Sequence, residues 1–181
     1  MTDDPLAWET MASEIDYRCP GFAVRRDAVR LPDGTVTDYH HVDESPAVVI
    51  LPLTPDDDVV VIEEWRQAVD SVNRGLPAGS VEGSEDLFAA ARRELREETG
   101  YEAGSLEHLL STEPSNGIAN SVHHHFVAHD CTPTAEQDLD DNESIRVDVT
   151  DYDDYLASVI DDDLDDGRAA LAVTYYELTQ R

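Results

Sequence analysis

Lysine is absent from this chain. All 12 basic residues are arginine, set against 41 Asp and Glu, for a formal net charge of −29 over 181 residues. Such a surface repels phosphate backbones and anionic headgroups, so nucleic acid and acidic membranes are excluded as expected partners. Cysteine is scarce as well. Cys19 and Cys131 stand alone, too few for a disulfide framework and without the spacing of a metal site. No apolar run approaches the roughly 20 residues of a membrane span, and the opening MTDDPLAWET has neither the basic nor the apolar stretch of a secretion signal. These absences point to a cytoplasmic, reduced protein. An acidic disordered chain is excluded too, because 40% of the residues are hydrophobic and they are patterned.

What is there is acid. An excess of this size suits work in molar salt, where repulsion is screened over about 3 Å. It also makes carboxylate runs weak evidence for a site. Asp56–Asp58 reads as a solvated turn. Asp161–Gly167 hints at a calcium loop but fails its pattern: Gly167 falls one place late, and Ala172 stands where the bidentate acid belongs. His123, His124 and His125 alternate faces along a strand, so no two neighbours chelate together, and His40-His41 has the same geometry.

Along the chain, residues 1–15 read as a loose acidic lead. Residues 22–30 and 36–42 read as two strands joined by the turn Leu31-Pro32-Asp33-Gly34. A hairpin of this kind buries little alone and needs a surface to pack on. Ala47–Leu53 and Val59–Ile62 are β-branched apolar runs expected as buried strands. Further strands are expected at 106–111, 122–128 and 145–149, a polar stretch at 129–142, and helices at 152–160 and 168–178. The division expected is an N-terminal hairpin segment, 1–45, and a main domain, 46–181. The order of elements predicts an α/β fold, an α/β/α sandwich around a mixed sheet.

The most informative stretch is Gly79–Tyr101, GSVEGSEDLFAAARRELREETGY. On a helix, with Glu94 at 0°, Glu98 falls at about 40° and Glu97 at about 300°, so the three carboxylates share one arc. Carboxylates crowded this way repel unless a cation sits among them, and a hard cation with oxygen ligands answers that need. Glu85 and Asp86 are expected in the first helical turn, where the macrodipole favours acids. Phe88, Ala91 and Leu95 form an apolar stripe beside the acids. Arg92 and Arg96 face solvent, and Arg93, one turn before Glu97, is placed to orient that carboxylate. Gly100 supplies the stop.

Gly79, then Glu85, then Arg93-Glu94-Leu95-Arg96-Glu97-Glu98-Thr99-Gly100-Tyr101, resembles a complete Nudix box. Residues 18–178 are similar to the ADP-ribose pyrophosphatase branch of the Nudix hydrolases. The similarity runs through Leu31-Pro32-Asp33-Gly34, Ala47–Leu53, Glu64-Trp65-Arg66, Leu76-Pro77-Ala78-Gly79, Pro114 with its Ser115-Asn116-Gly117 turn, and Asp140–Ile145. It departs at two places: Gly75 stands where that branch usually has Glu, and Ser121 where it has an acid.

The resemblance implies metal-ligating roles for Glu94, Glu98, Glu143 and the Ala78 carbonyl, with Glu97 as ligand or water-orienting base. It implies a catalytic carboxylate at Asp141, substrate contact by Arg66, and positions near the substrate for Ser121 and for the hairpin carrying Arg25. Arg93 completes the catalytic group with Glu97 and Asp141. The expected cofactor is Mg²⁺, with Mn²⁺ as a substitute, two or three ions in all. The expected reaction is hydrolysis of a nucleoside diphosphate linked to another moiety, ADP-ribose or nucleotide-sugar-like. The alternatives are a nucleoside triphosphate pyrophosphohydrolase and a non-catalytic nucleotide-binding sensor. The resemblance also implies a homodimer in which the N-terminal hairpin packs across onto a second subunit. Arg25, Arg26 and Arg30 would there meet a partner's carboxylates or the substrate's phosphates, unless they only neutralise Asp27 and Asp33.

Overall fold

The computed structural model describes residues 4–161, 163–164 and 166–181. The chain forms two compact units, one of residues 1–45 with 113–122, the other of residues 46–112 with 123–181.

The first unit holds a three-stranded antiparallel sheet, in order β1 (Glu9–Arg18), β2 (Ala23–Arg30), β3 (Val36–Asp43). From Glu9 onward, the stretch read as a loose lead is therefore strand. Its residues are exposed along the whole length, so no burial pattern announces it, and it exists through its ladder with β2. Gly34 closes the β2–β3 turn with φ 86°. The arginines of β2 are met inside the sheet. Arg25 donates to Asp43 (Nη2–Oδ2 2.7 Å) and Ser13 (3.1 Å), Arg26 pairs with Glu14, Asp16 and Asp38, and Arg30 pairs with Glu9. None of these partners is Asp27 or Asp33. Loop 113–122 joins this unit through Val42 N–H on Ile118 O (2.8 Å) and the Asn120 amide on Asp43 Oδ1 (2.7 Å).

The second unit is layered. A mixed sheet runs in order β7 (Ala78–Ser80), β4 (Ala47–Pro52), β10 (His123–His129), β9 (Ser105–Thr112), with β4 and β10 parallel and the other pairs antiparallel. A central parallel pair covered on both faces reads as a continuous apolar run, and β4 does. Val48 and Ile50 pack with Phe126, Ala128 and the Ala90, Ala91 and Leu95 face of α1 (Leu87–Thr99). Val49 and Leu51 face the other way, onto Val59 and Val61 of β5 (Asp58–Arg66), Tyr152 and Tyr155 of α2 (Tyr152–Ile160), and Ala169, Ala172 and Val173 of α3 (Gly167–Gln180). β5 is the middle of a second, antiparallel sheet with β6 (Ser71–Gly75) and β12 (Ile145–Asp151). The polar stretch after β10 contains a short strand, β11 (Thr132–Pro133), paired with β8 (Tyr101–Glu102). The fold is the expected α/β/α sandwich. The calcium-like run 161–167 lies partly outside the described residues, at Asp162 and Asp165.

The α1 helix starts two residues later than its acids suggest. Asp86 is the N-cap, accepting from Phe88 N–H (3.0 Å) and Ala89 N–H (3.3 Å), and Glu85 precedes the helix. Such a cap contributes about 1 kcal/mol. Phe88, expected in the buried stripe, is 43% exposed and rests edge-on against Phe126. Gly100 ends the helix at φ 75°, its N–H on Arg96 O (2.8 Å). Among the described residues, no helix is long and apolar enough to cross a membrane.

Candidate active site

Three elements of the second unit bring the acids together: α1, the β6–β7 connection, and the turn before β12. Leu76 is buried in the core and Pro77 O accepts from Ile50 N–H (3.0 Å), which fixes the connection against β4. Ala78 N–H then donates to Glu98 Oε2 (2.8 Å). Gly79 leaves room for the next contact, because a Cβ there would displace the Glu94 carboxylate. Glu94 and Glu98 are only 8% and 3% exposed.

Arg93 is the hub. Its Nε and Nη2 donate to the two oxygens of Glu85 (3.1 and 3.0 Å), Nη2 also to Ser80 O (3.0 Å), and Nη1 to Glu94 Oε1 (2.8 Å) and Glu97 Oε2 (3.0 Å). Glu85 chiefly, then Glu97 and Glu94, hold its guanidinium more firmly charged than usual, and Arg93 holds the Glu85 carboxyl below the ordinary range. The role of Glu85 as the anchor of Arg93 is one that its helix-start reading missed.

Burial works against the two inner acids. It raises Glu94 to about 6, although Arg93 pulls the other way, and raises Glu98 to about 8 against the Ala78 hydrogen bond. Glu143 adds its negative charge to both. It sits in a tight turn where Asp140 N–H donates to its Oε2 (3.0 Å). Asp141, in the same turn, is exposed to solvent. Glu64 is raised by burial and paired with Arg66 (2.6 Å). Of the predicted residues, the fold gathers Ala78, Arg93, Glu94, Glu97 and Glu98, with Glu143 acting on them by charge and Arg66 held through Glu64. Arg25 and Ser121 belong to the first unit, and Ser121 is buried there.

A model of the NUDIX domain matches residues 43–170. The chain belongs to the Nudix family. It is 30% identical over 155 residues to a methanol dehydrogenase activator of Bacillus methanolicus, covering 85% of this chain and 84% of that one. It is 29% identical over 176 residues to an ADP-ribose pyrophosphatase of Bacillus subtilis (strain 168), covering 97% and 95%. Among solved structures, that of an ADP compounds hydrolase superposes with a TM-score of 0.83 at 22% identity, covering 98% of this chain and 96% of that one. This Nudix protein is a pyrophosphohydrolase, of a kind that generally depends on a divalent metal.

The donor set suits such an ion. Glu94 and Glu98 are buried carboxyls whose ionisation burial opposes, and among the described residues no side-chain cation hydrogen-bonds Glu98. A hard divalent cation with oxygen ligands supplies the missing compensation. Among the described residues, no three His, Cys, Asp or Glu side chains stand arranged to hold a metal.

Sequence reasoning passed over one more group. Asp166 and Arg168, at the start of α3, bear electrostatically on Glu64, and Arg168 bears on Glu98 as well. Nothing in their local sequence announces this. The only signal was Gly75, whose missing side chain makes the space they use.

Proposed function

We propose that this Nudix protein hydrolyses the pyrophosphate of a nucleoside diphosphate linked to a second moiety, with ADP-ribose-like compounds and nucleotide sugars as the substrate class. One observation carries the reading: two buried carboxylates, Glu94 and Glu98, are packed against Gly79 and Ala78 N–H beside an arginine hub. Binding a nucleotide alone does not require buried acids whose ionisation is so costly. Water adds to one phosphorus, the P–O–P bond breaks, and the products are a nucleoside monophosphate and a phosphorylated remainder.

Glu94, Glu98, Glu143 and the Ala78 carbonyl would hold two or three Mg²⁺ ions, or Mn²⁺ in their place, and such ions would supply Lewis-acid polarisation of the phosphoryl oxygens and a lowered water pKa. Glu97, partly exposed and held by Arg93, takes the proton from the attacking water. Arg66 receives a phosphate oxygen once Glu64 yields it. Asp141 serves as a catalytic carboxylate only by turning inward, and Arg25 reaches substrate only by leaving Asp43. Ser121 takes the place of an acid near the substrate.

We place the protein in the cytoplasm, as a homodimer paired through its N-terminal sheet, without nucleic-acid or membrane partners. Light scattering of the full chain against a form beginning at Ser45 tests the dimer, and a monomeric full-length protein removes it.

The decisive experiment is a release assay in molar salt with Mg²⁺, over ADP-ribose, nucleotide sugars, dinucleotides and triphosphates. Monophosphate release from the diphosphate-linked compounds is expected. A preference for triphosphates replaces the reading with the rival one, and tight binding without turnover replaces it with a sensor.

A further inference from the structure

A second arginine approaches the carboxylates from the far end of the chain. Asp166 caps α3, accepting from Arg168 N–H (2.8 Å), and it also grips the same residue's guanidinium side-on, through Nε (3.1 Å) and Nη2 (2.8 Å). Burial pushes the Asp166 carboxyl up, but the Arg168 guanidinium and the backbone N–H groups outweigh it, so the pair is ionised. The remaining nitrogen, Nη1, makes no hydrogen bond among the described residues. The charge of Arg168 is felt by Glu64 and by His125, and Glu98 in turn holds Arg168 charged.

Room for the pair comes from Gly75. A Cβ there would meet Asp166 Oδ2 at 2.7 Å and Cγ at 3.3 Å. Any side chain at 75 displaces Asp166, and the guanidinium moves with it. Covering an arginine this way is costly unless its charge is used, and one carboxylate uses only half of its fork.

We infer that Arg168 is a substrate-binding residue of this site. Its Nη1 takes a non-bridging oxygen of the diphosphate, Asp166 is the positioning residue that aims it, and Gly75 is kept small so that Asp166 fits. An arginine fork split between a fixed carboxylate and a phosphate loses none of its charge-assisted bonds when substrate arrives. The inference rests on the diphosphate reading above.

The test uses the full-length protein and the best substrate of the release panel. Steady-state kinetics are run alongside Mn²⁺ binding to the substrate-free protein, read by electron paramagnetic resonance, and thermal melting. Arg168→Met is expected to raise KM on the order of tenfold or more, with Mn²⁺ affinity unchanged, and Arg168→Lys to recover part of the loss. Gly75→Ala is expected to raise KM in the same direction, and to add little to Arg168→Met when the two are combined. Where Arg168→Met fails to fold, Asp166→Asn combined with Arg168→Met leaves no unpaired charge and carries the same comparison.

An unchanged KM overturns the inference, because the pair then only ties α3 to β6. A KM that moves in step with Mn²⁺ affinity also overturns it, because Arg168 then acts on the acids and not on substrate. Absence of turnover by the unaltered protein over the whole panel removes the diphosphate reading and this inference together, which the kinetic outcomes alone do not.

Discussion

Two regions of this molecule are built from the same materials and put them to different ends. In the first unit, arginines of β2 meet carboxylates of β1 and β3 in a lattice open to water: Arg26 reaches Glu14, Asp16 and Asp38, and every partner side chain is more than a third exposed. Around α1, Arg93 also meets three acids, but Glu94 and Glu98 are out of water and, among the described residues, Glu98 has no cation bonded to it. Exposed pairs of the first kind contribute about 0–1 kcal/mol each. The second arrangement buries acids without a matching cation, the deficit that the proposed divalent cation would fill. Burial, more than the count of charged residues, separates a site from a surface here.

The comparison breaks most sharply at Glu98. Glu98→Gln keeps shape and loses the charge a cation needs, so turnover is expected to fall on the order of a hundredfold or more, by analogy with loss of a strong electrostatic stabiliser. Melting temperature of the metal-free protein should hold near pH 7, since Gln has the shape of the protonated side chain and its amide oxygen still accepts from Ala78 N–H. Near-normal kcat with normal metal dependence would sink the role given to α1.

Removing the metal exposes the same deficit as a pH effect. Glu98 at about 8 and Glu94 at about 6 stand above the ordinary 4.5 of an unfolded chain. The folded protein therefore keeps protons that the unfolded chain has lost. Their contribution is full below about pH 4.5 and is lost as pH rises through about 6 and then about 8, by an amount on the order of a few kcal/mol. His125, lowered by burial to about 4 from 6.5, works at the other end: its contribution is present above 6.5 and lost as pH falls through about 4. Chelator-treated protein should melt lower at pH 8 than at pH 6, and added Mg²⁺ should flatten that slope. A slope indifferent to Mg²⁺ counts against the site.

Salt sharpens the contrast from the side of the surface. With a net charge of −29, repulsion in the compact state grows as screening falls, so melting temperature should climb from dilute buffer to molar KCl. A constant value would remove the high-salt reading. The smallest change is expected from the open lattice: Arg26→Ala should cost about 1 kcal/mol or less in urea unfolding and leave kcat unchanged. A loss as large as that at the α1 acids would erase the distinction drawn between the two regions.

How much of this was legible in the sequence differs by region for a physical reason. The α1 site was readable because its parts lie within one helix and one turn of chain: the arc of Glu94, Glu97 and Glu98, the Arg93 bond to Glu97, and the Gly79 and Gly100 positions. β4 was readable because a strand covered on both faces carries its burial in its composition. β1 was not, since its side chains are wet on both sides and it is held by a ladder and exposed ion pairs to residues 23–30. Phe88 misled because helical periodicity gives a direction but not what lies there. Asp166 and Arg168 were invisible because their meaning depends on Gly75, which is remote in sequence and adjacent in space.

The parallel pairing of β4 with β10 has a consequence for how the protein is made. Residues 47–52 find their central neighbour only at residues 123–128, so α1 leaves the ribosome well before the strand that completes the surface beneath it. Until then Ala90, Ala91 and Leu95 have half a floor. A ladder closed over so long a loop forms late and slowly, and a chain stalled before residue 123 presents the apolar side of its own catalytic helix to whatever is nearby. The excess of acids along the chain is what opposes association of such a half-built molecule.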